Sequence, residues 1–569
     1  MEWRYNRTDP QEAARLAGEI KVSRLLAGML IRRGAGDADA ALEFLEPSLK
    51  RLPNPFLLTD MDRAVDRLIA AVGRREHITV YGDYDADGLT STALLYGFLE
   101  SIGSLASHYI PHRLDEGYGL NPGAVERLAA AGTKIIVTVD CGTSDWEAVE
   151  KARQLGVDVI VTDHHQIPRR LPRALAVINP QRQDCRFPGS GLAGVGVAFF
   201  LAGGLRQALR ERGLLSRTDQ PELAPLLGLV AIGTVADVAP LTGVNRILVS
   251  QGLVQLARPD RPGLEALKEA GAIEPGRPVT AREVAFRLAP RLNAAGRLKS
   301  SAPCLDLLLT RDLARARLLA AELEELNRER RRLQQKTVEE ALLLMEEKVG
   351  AEFKSIVLAR EGWLKGVVGL AASRLAEKYH RPVLLLALED GLAKGSGRSI
   401  EGFNIFRALE ECRDLMVRFG GHEQAAGLTL ESGNLPELER VFEEIARREI
   451  DEAGLTPYLK IEDRIGLNDV LNGLISDLGR LAPYGEGNPD PVFALHGLNI
   501  ISAGVVGAGH LKITLAQDGR NLELIGFGLG RKLPEIGRRV RAAIQRHSSF
   551  FRGRTVQGWK LVDIERDPG

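Results

Sequence analysis

The sequence predicts an α/β protein with several domains: a parallel-sheet domain, a long helix, a second α/β domain and a small C-terminal β-barrel. Its 569 residues correspond to about four domains at roughly 150 residues each. From about residue 77, near-continuous apolar runs alternate with amphipathic stretches, which is typical of buried parallel strands connected by helices. The last ~110 residues contain short alternating runs separated by Gly, Asn and Asp, which indicates a β-barrel or sandwich.

The composition is that of a globular protein from a reducing compartment. Lys plus Arg and Asp plus Glu each number 75, so the surface as a whole is not basic, although a local basic surface is compatible with this balance. Four cysteines occur without a CxxC pair, which excludes a disulfide scaffold and a Cys-rich zinc site. There is no apolar run near the ~20 residues that cross a bilayer, and the N-terminus lacks the apolar core of a signal peptide. We therefore expect a cytoplasmic protein.

Five segments follow one another along the chain. The N-terminal segment carries two helical patterns, and Asp37 or Asp39 is the expected N-cap of the second. Residues 311–349 contain neither Gly nor Pro and would form a solvated connecting helix of roughly 60 Å. The predicted boundaries are a helical segment at 1–50, a parallel-sheet domain at 51–310, a connecting helix at 311–350, a second α/β domain at 351–455 and a domain resembling an oligonucleotide-binding (OB) fold at 456–569.

Three predicted strands end in carboxylates: HITVYGD (77–83), KIIVTVD (134–140) and VDVIVTD (157–163). The carboxyl ends of strands in an open parallel sheet meet at one edge, where functional groups gather. We therefore expect four side chains there: Asp85, Asp87, Asp140 and His164. A further candidate is Asp237, a carboxylate in an otherwise apolar stretch, which would be costly to bury without a cation.

The first of these strands leads into Asp83-Tyr-Asp85-Ala-Asp87-Gly88, which resembles a calcium-binding EF-hand loop. That loop requires a Glu at its twelfth position and a helix before it. Here the twelfth position is Leu94 and a strand precedes the loop, so the EF-hand interpretation fails. A water-solvated polar loop remains the alternative to a metal site.

The residue types favour particular cations. Carboxylates with one or two imidazoles and no thiolate favour Mn²⁺ or Mg²⁺ over structural zinc. A bridging carboxylate, which Asp140 is placed to be, indicates two ions ~3.5–4 Å apart, as in phosphoester hydrolysis. No G-x-x-x-x-G-K-[ST] loop occurs, so a P-loop nucleotidase is not supported, and the glycines from Gly191 to Gly196 are interpreted as a tight helix-entry turn.

The motifs GDYDADG, VTVDCG, VTDHH and GTVADVAPL resemble the successive motifs of the DHH phosphoesterase superfamily. RLNAAGRL, GVVGLAASRLAEKYHRP, GSGRSIEGFNI and FGGHEQAAGL extend the resemblance, and the last three are similar to its DHHA1 domain. With the β-rich C-terminal segment, residues 15–569 resemble the RecJ family, bacterial 5′→3′ exonucleases specific for single-stranded DNA. The resemblance implies a DHH catalytic domain at 51–310 and a DHHA1 domain at 351–455.

The resemblance also implies roles for individual residues. One divalent cation, Mn²⁺ or Mg²⁺, would be held by Asp85 and Asp140 with Asp83 nearby, and a second by Asp87, Asp140, His164 and Asp237. His165 would face the scissile phosphate, Asp163 would orient the histidines, and Arg297 would stabilise the charged phosphate. The implied DNA contacts are a 5′-phosphate pocket of Arg113, Ser396 and Arg398, a stacking platform at Tyr118, and a close backbone approach at Gly420, Gly421 and His422.

The C-terminal segment adds a basic stretch. Residues 531–560 contain nine Lys or Arg against one acid, Glu535, with Phe550, Phe551 and Trp559 interleaved, which is typical of an OB-fold groove for single strands. The resemblance implies a role in DNA recombination and repair, with single-stranded DNA, a single-strand-binding protein and a helicase as the expected partners, and the expected state is a monomer. Two alternatives stay open: a phosphodiesterase acting on short oligonucleotides or cyclic dinucleotides, and a non-catalytic DNA-binding scaffold of a replisome.

Overall fold

The computed structural model describes residues 2–6, 8–113, 115–215, 220–258, 261–346, 353–451, 454–533, 537–551 and 554–567, without the side chains of 549–556. These residues form two compact units. The larger unit comprises Arg4–Gly296, Ser301–Ala321 and Lys460–Gly569, and the smaller comprises Met1–Trp3, Arg297–Ser300 and Glu322–Leu459. No helix in the described part of the chain is both long and apolar enough to span a membrane.

The larger unit contains a five-stranded parallel sheet with strand order β3-β2-β4-β5-β6. Strands β2, β4 and most of β5 are buried, because helices cover both faces of such a sheet. The strands up to this point are β1 (Glu2–Tyr5), β2 (Ile78–Gly82), β3 (Ala106–Tyr109), β4 (Ile135–Val139), β5 (Asp158–Thr162) and β6 (Ala176–Ile178).

The helices of the N-terminal and parallel-sheet regions begin at recognisable caps. The Asp37 side chain accepts from the Ala40 amide, which identifies the cap of the third helix. The helices are α1 (Pro10–Ile20), α2 (Arg24–Arg32), α3 (Ala38–Leu45), α4 (Met61–Arg74), α5 (Ala86–Ser101), α6 (Pro122–Ala130), α7 (Trp146–Gln154), α8 (Gly194–Glu211), α9 (Leu227–Ala236), α10 (Gly243–Leu256), α11 (Pro262–Ala270), α12 (Ala281–Glu283), α13 (Ala289–Leu298) and α14 (Ala302–Leu309), with a π-helical segment at Val284–Leu288. The strand β1 lies inside the segment predicted as helical.

The long predicted helix is present as α15 (Leu313–Glu346). Residues 347–350 of the predicted connector lie outside the described residues. In the smaller unit a five-stranded sheet has the order β10-β11-β9-β8-β7 and shares its apolar core with residues of four helices, α15 among them. Its elements are β7 (Ile356–Glu361), α16 (Lys365–Tyr379), β8 (Val383–Glu389), β9 (Leu392–Arg398), α17 (Ile405–Glu411), β10 (Arg418–Gly421), β11 (Ala425–Glu431) and α18 (Leu435–Glu449).

The C-terminal region closes into a barrel because β14 pairs with both β15 and β17, and β16 and β17 both pair with β18. Its core is continuous with apolar side chains of α1, α2 and α3, so that the N-terminal helices and the barrel bury one another. The elements are β12 (Tyr458–Ile461), β13 (Asp463–Arg464), α19 (Leu467–Leu471), α20 (Leu474–Leu481), β14 (Val492–Val506), β15 (His510–Gln517), β16 (Arg520–Gly526), β17 (Arg539–Phe551) and β18 (Arg554–Arg566). The predicted fold class is confirmed, while the five exact boundaries stay predictions.

The basic stretch of the barrel differs from its prediction in two respects. Part of it is neutralised, since Lys532 forms an ion pair with Asp563 and Arg541 pairs with Glu565 at 2.6 Å. Trp559 is partly buried and packs edge-on against a phenylalanine of the barrel core, so only part of its ring is available for stacking. Glu535 and the side chains of Phe550, Phe551, Arg552 and Arg554 lie outside the described residues.

Candidate active site

The candidate site lies at the carboxyl edge of the parallel sheet. Strands β2, β4 and β5 are neighbours, and their last residues, Gly82, Val139 and Thr162, pair in register. The residues that follow each strand therefore meet at one edge. They are Asp83 after β2, Asp140 after β4 and Asp163-His164-His165 after β5.

Seven predicted residues form three overlapping groups of ligand atoms at this edge, and within each group the atoms lie within 4.8 Å of one another. The His164 imidazole contacts two of the carboxylates. Its Nε2 lies 3.1 Å from Asp140 Oδ1. His164 Nδ1 lies 3.8 Å from Asp237 Oδ2, so the imidazole stands between carboxylates on both sides. The groups are Asp83 with Asp85 and Asp140, Asp87 with His164 and Asp237, and Asp140 with His164 and His165.

Helix termini hold two of the carboxylates. The Asp85 side chain caps α5 by accepting from the backbone amides of Asp87 and Gly88. The Asp87 carboxylate accepts from the amides of Gly194 at 2.7 Å and Val195 at 2.9 Å, at the N-terminus of α8. The positive end of that helix thus stabilises a carboxylate that is itself buried.

Burial and mutual repulsion make this cluster unfavourable without positive charge. Burial, followed by the neighbouring carboxylates, raises the pKa of Asp87 to about 7 and that of Asp237 to about 8. The same two causes raise the pKa values of Asp83 and Asp140 well above the ordinary range. Among the described residues, no group forms a hydrogen bond with the buried Asp83 Oδ1. A divalent cation would satisfy both deficits, and an all-oxygen and imidazole donor set suits Mn²⁺ or Mg²⁺.

Beside these ligands, Asp163 orients His165. Its Oδ1 lies 2.7 Å from His165 Nδ1 and accepts from the backbone amide of His164, while Oδ2 accepts from the Thr143 amide. Burial raises the pKa of Asp163, but the bonds from His165 and Thr143 outweigh burial and bring it below the ordinary range. Burial lowers the pKa of His165, but the Asp163 carboxylate outweighs burial and raises it to about 9. The arrangement favours a protonated imidazole at the edge of the cluster.

Tyr118 and Arg113 lie at the same edge. The Tyr118 hydroxyl donates to the Asp140 carbonyl at 3.1 Å, and its half-exposed ring meets His165 edge-on. The Arg113 guanidinium lies 4.8 Å from the centre of the Tyr84 ring. Its charge lowers the pKa of Asp83, although burial and Asp85 raise it further. Stacking by Tyr118 and phosphate binding by Arg113 stay predictions.

The other predicted residues belong to the smaller unit. Arg297 donates to the Gly366 carbonyl at 3.1 Å. Arg398 donates to the Ser396 hydroxyl at 2.7 Å. The remaining three residues, Gly420, Gly421 and His422, belong to the tight hairpin between β10 and β11. The His422 amide donates to the Ala425 carbonyl, and a Cβ on Gly421 would overlap the backbone of the hairpin. Their roles toward DNA stay predictions.

Several residues that support the ligands were absent from the prediction. The glycine string near Gly191 was interpreted only as a helix entry, yet its Gly194 and Val195 amides bind Asp87. A Cβ on Gly194 would lie 2.7 Å from the Asp140 carboxylate, so glycine is required there for packing. Asn293, inside the RLNAAGRL motif, accepts from the Ala86 amide at 2.7 Å and supports the loop before α5. The glycine string and the RLNAAGRL motif were visible in the sequence, but the residues to which they form hydrogen bonds lie far away along the chain.

Comparison with known proteins identifies the family. Residues 77–234 match the DHH family, N-terminal domain, residues 352–448 the DHHA1 domain, and residues 461–563 the RecJ OB domain. The chain is 39% identical over 560 residues to the single-stranded-DNA-specific exonuclease RecJ of Dickeya dadantii, covering 95% of this chain and 97% of that protein. The chain belongs to the RecJ family.

Other RecJ proteins agree with this assignment. The chain is 37% identical over 534 residues to RecJ of Bacillus subtilis, covering 93% of this chain but only 66% of that longer protein. The crystal structure of RecJ from Thermus thermophilus in complex with Mn²⁺ superposes with a TM-score of 0.85 at 32% identity, covering 100% of this chain and 80% of that one. A second structure of the Thermus protein, in complex with Mg²⁺, superposes with a TM-score of 0.79 at 31% identity, covering 100% and 79%. Mn²⁺ and Mg²⁺ are also the cations that suit the carboxylate and imidazole donors of the present site.

Proposed function

We propose that this protein is a divalent-cation-dependent exonuclease that degrades single-stranded DNA from its 5′ end to mononucleotides. The observation that carries the proposal is the set of buried carboxylates and imidazoles gathered at one sheet edge in a RecJ family chain. A replisome scaffold without catalysis would not need these residues, because each buried carboxylate costs stability unless a cation compensates it. The barrel at the C-terminus favours a polymeric substrate over a cyclic dinucleotide.

We propose two cation positions. Asp83, Asp85 and Asp140 would hold one ion, and Asp87, Asp140, His164 and Asp237 the other. Asp140 would belong to both, because its carboxylate lies in the group of Asp83 and Asp85 and is also 3.1 Å from Nε2 of His164, a member of the other set. When bound, a pair of divalent cations lowers the pKa of water and neutralises charge on both the attacking and the leaving oxygens of a phosphodiester.

The chain's own residues would orient the substrate. The cationic His165, fixed by Asp163, would donate to a non-bridging oxygen of the scissile phosphate, and Arg297 would add a second positive charge. Arg113, Ser396 and Arg398 would bind the 5′-phosphate and so determine the direction of digestion. Tyr118 would stack on a base, and the hairpin at Gly420, Gly421 and His422 would approach the phosphates closely.

In the cell, we propose that the enzyme acts in DNA recombination and repair in the cytoplasm. It would work as a monomer on strands exposed by a helicase and covered by a single-strand-binding protein. The presence of the parallel sheet and the barrel in one compact unit of one chain supports this arrangement, because one polypeptide would carry both cleavage and strand binding.

The decisive experiment uses a single-stranded DNA labelled at its 3′ end, incubated with the protein and Mn²⁺ or Mg²⁺. The proposal predicts a ladder that shortens from the 5′ end, no product with EDTA and none from blunt duplex. Asp140→Asn is expected to lower the rate by at least roughly a thousandfold, since it removes a charge shared by both cation positions. The matched control is Asp158→Asn, because Asp158 begins β5 at the opposite edge and pairs with Arg67.

Three outcomes would contradict the proposal. Strand binding without any shortening would favour the non-catalytic scaffold. Hydrolysis restricted to dinucleotides through tetranucleotides would favour the small-substrate phosphodiesterase. Equal activity of Asp140→Asn and the wild-type protein would place the chemistry elsewhere.

A further inference from the structure

Arg398, at the end of β9, has a positive charge that no carboxylate of the described residues neutralises. Its Nε donates to Ser373 Oγ at 3.1 Å, and its Nη1 donates to Ser396 Oγ and to the Gly397 carbonyl, both at 2.7 Å. In the described part of the chain, no Asp or Glu forms an ion pair with Arg398, and burial alone lowers its pKa. A half-buried guanidinium that contacts only neutral groups retains its attraction for an anion.

Ser373, in α16, determines the orientation of this guanidinium. Its hydroxyl donates to the Gly369 carbonyl one turn earlier at 3.1 Å, so a lone pair of the same oxygen is available to Arg398 Nε. Together with the bonds that Nη1 makes to β9, this contact fixes the plane of the guanidinium at two of its three nitrogens. The third nitrogen, Nη2, forms no hydrogen bond with a described residue.

Gly369 keeps the space beside that third nitrogen open. A Cβ at this position would lie 3.0 Å from Arg398 Nη2 and 3.0 Å from Ser396 Oγ. Those distances are shorter than ordinary van der Waals contact, so an alanine would displace the guanidinium or occupy the space next to it. Ser373 and Gly369 therefore act on two nitrogens of the same guanidinium, one by a hydrogen bond and the other by having no side chain.

We propose that Ser373 is a positioning residue that orients Arg398 to bind the terminal phosphate of a 5′ end, and that Gly369 keeps the approach to that arginine open. This inference rests on the proposed function, which supplies the 5′-terminal phosphate as the anion. A phosphate monoester carries close to two negative charges and three acceptor oxygens, and the two N–H bonds of the fixed Nη2 are available to donate to those oxygens. A 5′-hydroxyl end lacks that group and gains nothing from this nitrogen.

The test measures binding of one single-stranded DNA of twelve nucleotides, labelled at its 3′ end, with either a 5′-phosphate or a 5′-hydroxyl. Fluorescence anisotropy with EDTA present gives the two Kd values without hydrolysis. The wild-type protein is expected to prefer the phosphorylated strand, and S373A to reduce that preference about tenfold, the scale of one hydrogen bond to a charged group. G369A should reduce it in the same way, whereas S373T, which keeps the hydroxyl, should restore most of it.

The matched control is S399A, because Ser399 follows Arg398 but its hydroxyl donates to the Ile400 and Phe403 carbonyls instead. Equal weakening of both strands by S373A would overturn the inference, since a general structural defect would have that effect. A wild-type protein with equal Kd values for the two strands would overturn it as well. Failure of the proposed function would give a different result from failure of this inference. The protein would still prefer the 5′-phosphorylated strand in EDTA, but the labelled strand would not shorten with Mn²⁺.

Discussion

The buried Arg246 of α10 provides a quantitative test of how the N-terminal helices, the parallel-sheet region and the segment before the barrel are joined. Its guanidinium donates to the carbonyls of Phe44 at 2.7 Å, Ala482 at 2.8 Å and Leu481 at 3.0 Å, with two longer contacts nearby. It also stacks on the Phe44 ring at 3.8 Å. One side chain of α10 thus satisfies carbonyls of two segments, Phe44 and residues 480–483, that are far apart in sequence.

The structure allows the effect of Arg246→Met to be estimated. Each buried carbonyl that loses its donor costs about 1–3 kcal/mol, so the three short bonds together are worth about 3–9 kcal/mol. Burial lowers the pKa of Arg246 to about 10, and removing that buried charge returns about 3 kcal/mol. With methionine filling most of the volume, we expect a net loss of about 3 kcal/mol of local stability.

Hydrogen exchange measured by mass spectrometry is the appropriate assay, because it reports each segment separately. A loss of about 3 kcal/mol corresponds to a roughly hundredfold faster exchange of amides in α3 and in residues 480–483. Arg246→Lys should give an intermediate effect, since one ammonium cannot reach all the carbonyls. If the amides of Arg246→Met exchange as slowly as those of the wild-type protein, the expected loss of stability is refuted. That result would mean that burying the charge costs as much as its hydrogen bonds contribute.

Two further predictions concern the site and the sheet. Gly194→Ala should weaken Mn²⁺ binding by about 10–100-fold in a calorimetric titration, because its Cβ would displace the Asp140 carboxylate. Asp60→Asn should reduce the free energy of unfolding in urea by about 1 kcal/mol at pH 7. Burial raises the pKa of Asp60, but the Val177 amide and Arg182 outweigh burial and lower that pKa. The stabilisation by the ionised carboxylate is therefore present above pH ~4 and is lost as the pH falls through the folded-state pKa.

Each of these predictions has its own control. Gly191→Ala lies in the same loop as Gly194, but its Cβ would contact only Pro240 at 3.6 Å, so Mn²⁺ affinity should not change. Unaltered Mn²⁺ affinity in Gly194→Ala would show that the Asp140 carboxylate tolerates a displacement. For Asp60→Asn, a stability difference that persists unchanged at pH 3 would contradict the proposed ionised state.

The sequence alone was sufficient to predict the sheet edge and the carboxylates and imidazoles that meet there. Alternating apolar runs and helices specify parallel strands locally, and parallel connection places the carboxyl ends of those strands together, so Asp83, Asp140 and His164 could be predicted from their positions after strands. Asp237 could be named because a carboxylate in an apolar stretch requires a partner. These inferences rest on patterns of a few residues, which a single sequence contains.

Only the tertiary structure decided which distant groups meet. The amides of Gly194 and Val195 hold Asp87, more than a hundred residues away, and nothing in either string specifies the other. In the barrel, the register of β17 against β18 places Arg541 opposite Glu565 and so neutralises part of a stretch that looks uniformly basic. Short patterns determine secondary structure and chemistry because they act through neighbouring residues, whereas pairing, burial and charge compensation depend on the packing of the whole chain.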